Sequence, residues 1–177
     1  MSMYRILTGM MLVCIALVSP CRGDESGTKL LGKVTELLEK HDAAYSAQDV
    51  QGIMKTYVSG PQIFLMGTGP GEIYRGQEGI KNAYREFFTK FEKGTAAVSY
   101  DWVSAGSRGD MAWFAAQSRI TGKVKGEVKE VSLNLSGTLQ KQKGSWRFLS
   151  AHFSRLGVAP APAEQPMPIE PAQEQPK

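Results

Sequence analysis

The stretch Gln62–Phe91, QIFLMGTGPGEIYRGQEGIKNAYREFFTKF, packs a short apolar run, a glycine-proline turn, a second short run and an amphipathic helix into one supersecondary unit. Gly67, Gly69 and Gly71 crowd together as they would in a phosphate-binding loop, but the rest of that chemistry is missing. No Gly-Lys-Ser/Thr follows to set an amine on phosphate and a hydroxyl on magnesium. The glycines do not open a helix either, as a dinucleotide fingerprint requires so that backbone N–H groups aim at pyrophosphate. Glu72, Ile73 and Tyr74 follow instead as an extended segment, so the glycines read as the turn of a hairpin that precedes a helix. In that helix Ile80, Tyr84, Phe87, Phe88 and Phe91 form an aromatic stripe, and Gly94 ends it.

Upstream, two further helices are predicted. Leu30, Leu31, Val34, Leu37, Leu38, His41 and Tyr45 recur at three and four residues, giving an amphipathic helix over about 28–47. Asp49 can N-cap a shorter helix in which Val50, Ile53, Met54 and Tyr57 share a face, stopped by Gly60-Pro61. Downstream of Thr95 the period changes to two. Four long strands are marked by Val98/Tyr100/Trp102, Met111/Trp113/Ala115, Val131/Leu133/Leu135/Leu139 and Trp146/Phe148/Ser150/His152. Turn signals lie at 105–109, 122–126 and 143–144, which suits an antiparallel meander. Helices first and strands after make an α+β domain: a cone-shaped curved antiparallel sheet wrapped around a long helix, with two further N-terminal helices.

The ends have a different character. Arg5, the apolar run Ile6–Val18 and the small or polar residues 19–23 have the layout of a secretory signal, which places the mature protein in the periplasm or outside the cell. Cleavage is expected after Cys21 or Gly23; Pro20 stands where a lipidation signal at Cys21 would want a small residue. Residues 158–177 alternate proline with Ala, Glu and Gln and read as a disordered tail. One domain, residues 24–157, remains between them. Both cysteines, Cys14 and Cys21, fall in the leader, so that domain must be held by packing without a disulfide or thiolate metal site. It keeps the net charge of +4 of the whole chain, scattered among acids with no basic run. Neither a nucleic-acid partner nor, after signal cleavage, a membrane is therefore expected.

The order helix, helix, short hairpin, helix, four strands resembles the nuclear transport factor 2-like superfamily, and within it the SnoaL-like, ketosteroid-isomerase-related domains. The residues that carry the likeness are Ser46-Ala47-Gln48-Asp49, Tyr57, Gly67 to Glu72 with Arg75-Gly76, Gly144 to Arg147, and His152-Phe153-Ser154; it covers nearly all of 30–155. The resemblance implies a central pocket and a homodimer formed through the outer sheet face. It also implies where isomerase groups would sit. The base falls on or near Leu65, the oxyanion tyrosine on His41 and its acidic partner near 134–136. None of these positions carries the required group, so the ketosteroid isomerase mechanism is not expected.

Other chemistry stays open. His41 and His152 are the two histidines, suited to proton transfer near neutral pH, and Glu72 is the best-placed carboxylate. Each also has a plain structural reading, as a core or rim histidine or a solvated turn residue. Asp42 is expected to face water or cap a neighbouring element. Tyr45, Tyr57, Trp102 and Trp113, with Asn134, are the candidate ligand-binding wall. No metal-ligand spacing and no cofactor motif occur. Three functions follow: binding of a small, largely apolar molecule, a proton-transfer enzyme of isomerase, cyclase or dehydratase type using His41 or His152 with Glu72, or a dimerisation module without ligand.

Overall fold

The computed structural model describes residues 27–156; the expected signal segment, Cys21 and the proline-rich tail lie outside them. The elements are α1 (Gly27–Ser46), α2 (Val50–Thr56), β1 (Phe64–Met66), β2 (Ile73–Arg75), α3 (Gly76–Phe87) with a 3-10 turn at Phe88–Lys90, β3 (Ala97–Arg108), β4 (Met111–Val124), β5 (Glu127–Gln142) and β6 (Ser145–Arg155). The strands form one curved, unclosed six-stranded sheet in the order β2-β1-β6-β5-β4-β3. It is an α+β cone. One pairing differs from a pure antiparallel sheet: β1 runs parallel to β6, with Leu65 beside Ala151. Among the described residues no helix is long and apolar enough to cross a membrane.

The local signals explain the frame. The Asp49 side chain accepts from the Gln51 N–H at 2.9 Å and caps α2. That helix ends at Thr56, short of Gly60-Pro61, because the Val58 N–H bonds the Phe148 carbonyl on β6 and pulls the chain into extended form. Lys125-Gly126 and Lys143-Gly144 both have two successive positive φ angles, the tight turn that matches strand twist and joins β4 to β5 and β5 to β6. Leu30, Val34, Leu37 and Leu38 of α1 are buried against the sheet and α2. Each contributes roughly 1.5–3 kcal/mol by leaving water.

Two turn signals were close-approach positions instead. β3 and β4 run through Gly106 and Gly122, past the expected turn starts. A Cβ on Gly106 would lie 2.4 Å from the Trp113 indole, and one on Gly122 would lie 2.6 Å from the Phe91 ring. The glycines make room for rings.

Two bulges decide which side chains face inward. On β3, Val98 and Tyr100 pair with Ile120 and Ser118 of the inner face. The register then slips at Asp101, so that Val103 and Ala105 continue that face and Trp102 turns outward. On β6 a second slip at Leu149 leaves Phe148, Ala151 and Phe153 on one face. His152 lies on the other, paired with Ser136.

Candidate functional site

A cavity of about 330 Å³ opens between the helices and the inner face of the sheet. α1 supplies His41, Asp42 and Tyr45, α3 and its 3-10 turn supply Tyr84, Phe87 and Lys90, and the hairpin turn supplies Thr68 and Glu72. The sheet adds Val98, Tyr100, Ser118, Ile120, Val131, Leu133, Leu135 and Phe153. Most of that wall is apolar. A second groove of similar volume lies between α1, α2 and the β5–β6 turn, lined by the charged side chains of Lys33, Glu36, Lys55 and Arg147.

The polar atoms of the cavity form one connected cluster. His41 Nε2 lies 2.6 Å from the Tyr84 hydroxyl, which lies 3.1 Å from the Tyr57 hydroxyl. His41 Nδ1 lies 3.2 Å from Asp42 Oδ1, and the Tyr100 hydroxyl donates to Asp42 Oδ2 at 2.7 Å. A carboxylate only accepts, so His41 turns its Nδ1–H toward Asp42. A neutral ring then accepts from Tyr84 at Nε2, and Tyr84 accepts from Tyr57. Written this way, the donors run from Tyr57 through Tyr84 and His41 to Asp42, and Tyr100 reaches the same carboxylate from the sheet. Burial pushes the phenols of Tyr57, Tyr84 and Tyr100 well above their ordinary range, and the Asp42 charge adds to the effect at Tyr100. Burial also lifts the Tyr45 phenol, to about 12. All four therefore remain protonated donors at neutral pH.

The positions singled out in the sequence separate into two groups. His41 is buried in the cluster, Tyr45 lines the cavity with its hydroxyl donating to the Phe87 carbonyl, and Tyr57 sits fully buried behind Tyr84. Glu72 reaches the cavity edge but folds back over its own turn, accepting from the Gly69 N–H at 2.9 Å. Trp102 and Trp113 do not join that wall. They are 47% and 55% exposed on the outer face, while Ala112, Phe114 and Ala116 take the inward positions of β4. Asn134 faces outward opposite Gln117, and His152 is carried away from the cavity wall by the Leu149 bulge. Leu65 is fully buried, an apolar core position.

The group that sequence reasoning misplaced is Asp42. Its side chain is only 17% exposed and lines the cavity instead of facing water. The signal was present: Asp42 stands four residues after Leu38 and three before Tyr45, on the edge of the apolar stripe. Tyr84, Tyr100 and Ser118 were also missed as polar groups, since their spacing marks only an inward face. Among the described residues no group of three or more His, Cys, Asp and Glu side chains is placed to hold a metal.

Comparison with known proteins agrees with this architecture. A family model described as SnoaL-like domain matches residues 34–159. Among solved structures, a Salmonella enterica protein of the nuclear transport factor 2 (NTF2-like) superfamily superimposes with a TM-score of 0.66 at 17% identity, covering 78% of this chain and 98% of its own. A putative dehydratase of the NTF2-like family from Streptomyces avermitilis gives 0.65 at 13% identity, over 74% and 99%. A ketosteroid isomerase-like protein from Erwinia carotovora gives 0.57 at 20% identity, over 72% and 97%. At these identities the likeness is one of fold. No curated protein sequence matches the chain.

Proposed function

Because the chain belongs to the SnoaL-like domain family, we propose that its cavity binds a small, largely apolar molecule that presents one polar group to the His41–Asp42 end. The observation that carries this reading is the apolar wall of Ile120, Val131, Leu133, Leu135 and Phe153 closing onto a single polar cluster. Pockets that bind small molecules have this composition, with few and convergent polar atoms in an apolar surround. The test is Leu135→Trp, which fills the cavity from the sheet side. Naphthalene, followed by calorimetry, should bind the wild type and lose at least tenfold in affinity for the variant, with circular dichroism unchanged. Equal binding to both proteins would place the ligand elsewhere.

A proton-transfer enzyme is the second reading. The imidazole of His41 is fixed between a carboxylate and a phenol, as a general base or acid must be before it can act repeatedly in one geometry. His41 with Asp42, and not His152, is then the acting pair. In any turnover assay, His41→Gln should reduce kcat by at least a hundredfold, at the lower end of what one positioned acid–base group supplies. An unchanged kcat would remove His41 from the chemistry.

The exposed Trp102, Trp113 and Met111 on the outer sheet face support pairing with a second copy. Sedimentation should then show a dimer that Trp113→Lys converts to monomer. For the exported location, mass spectrometry of the protein from its own cell should find a start at residue 22 or 24.

A further inference from the structure

The cavity's polar end is rich in acceptors and poor in donors. Asp42 accepts from His41 on Oδ1 and from Tyr100 on Oδ2, and an ionised carboxylate has about four acceptor positions. Two therefore remain, on a side chain that faces the cavity. The hydroxyl protons of Tyr57, Tyr84 and Tyr100 and the Nδ1 proton of His41 are all committed to neighbours within the cluster. Among the buried side chains described, one donor is left over. Ser118 is 1% exposed, and its Oγ is the buried side-chain oxygen or nitrogen without a hydrogen-bond partner among the described residues. It occupies the cross-strand position beside Tyr100 on the cavity wall, between Ala116 and Ile120. An unpaired buried hydroxyl destabilises the fold, at a position whose inward neighbours on β4 are apolar. Rotation about χ1 can turn that hydroxyl toward the cavity.

Resting on the cavity-binding reading above, we infer that the ligand is a neutral hydroxyl compound, a phenol or alcohol on an apolar body, whose O–H donates to Asp42 and whose oxygen is reached by Ser118. A carboxylic acid in the same orientation would set one anion against another at Asp42. A ketone or ether would give the free acceptor positions no proton. The cations that line the cavity, Lys90, Lys129 and Arg155, come from the 3-10 turn and the sheet, and Asp42 takes its hydrogen bonds from His41 and Tyr100.

The test uses three probes of one shape: naphthalene, 2-naphthol and 2-methoxynaphthalene. 2-Naphthol should bind the wild type at least tenfold more tightly than its methyl ether, which keeps the oxygen and loses the proton. Ser118→Ala should weaken 2-naphthol by roughly tenfold, the effect of one net hydrogen bond with its partner left unmatched, and leave naphthalene unchanged. The same variant should unfold at the same or a higher temperature than the wild type, because it removes an unpaired polar group. Equal affinities for naphthol and ether would overturn the inference while naphthalene binding kept the cavity reading. Equal losses for all three probes in Ser118→Ala would also overturn it. If no probe bound, the cavity reading would fall with it. The naphthol–ether comparison is made on the wild type and so does not depend on how any variant folds.

Discussion

Asp42 is the acceptor at which helix and sheet meet, and its carboxylate is what the surrounding donors require. Asp42→Asn keeps the shape but replaces one acceptor with an NH2 donor, so either Tyr100 must turn its hydroxyl and accept or His41 must change tautomer, and the charge that strengthens both bonds is lost. The expected loss is about 1–3 kcal/mol of unfolding free energy, read from the urea midpoint. Tyr100→Phe removes one partner from a carboxylate that keeps another and should cost less, about 0.5–1.5 kcal/mol. An unchanged midpoint in Asp42→Asn would show that the cluster does not hold α1 to β3. The residue also marks where reading from the sequence stopped. Its neighbour His41 was legible because it fell on the apolar stripe. Asp42 lay one position round the helix, at the edge of that stripe where the period allows either side, and the tyrosine brought in by β3 meets it on the inside.

At the scale of elements, nearly every helix and strand was legible, because each is announced by a local period and a local stop. The strand faces were less so. Alternation says that neighbours point to opposite sides, but it does not say which side is inside, and one inserted residue exchanges them. The Asp101 bulge sends Trp102 outward although Val98 and Tyr100 before it point in. The Leu149 bulge separates His152 from Trp146 and Phe148 in the same way. On β4 no bulge is involved: small Ala112 and Ala116 flank Phe114 beneath the helices, and the larger Trp113 goes to the side with room, over Gly106. The parallel partnership of β1 and β6 was also out of reach, since no turn or period records a pairing between segments so far apart. Family resemblance supplied the cone, and hence the cavity; it did not supply the cluster inside it.

For the whole molecule, the raised phenols of Tyr45, Tyr57, Tyr84 and Tyr100 set an alkaline limit. Each folded value lies above the unfolded one near 10, so the protonated form is favoured in the native state. The contribution is complete below about pH 10 and is lost as the pH rises toward the folded values, which for Tyr45 means about 12. In that window each such tyrosine removes about 1.4 kcal/mol per pH unit. Urea midpoints measured between pH 8 and 12 should fall steeply above 10, and more gently in Tyr57→Phe; parallel curves would contradict the assignment. The parallel pairing of β1 with β6 reaches beyond stability, into the order in which the molecule can be made. Phe64 and Leu65 find their partners only at Ser150 and Ala151, and Tyr57 finds its bridge only at Phe148. A chain growing from its N-terminus therefore carries β1 and β2 as a two-stranded ribbon with only α3 beside it until the last strand has emerged. Contacts of such long separation fold slowly. The last strand also brings Phe153 and Arg155 to the cavity wall, so a product cut short before Ser145 has a bare edge on β5 and a cavity open on that side.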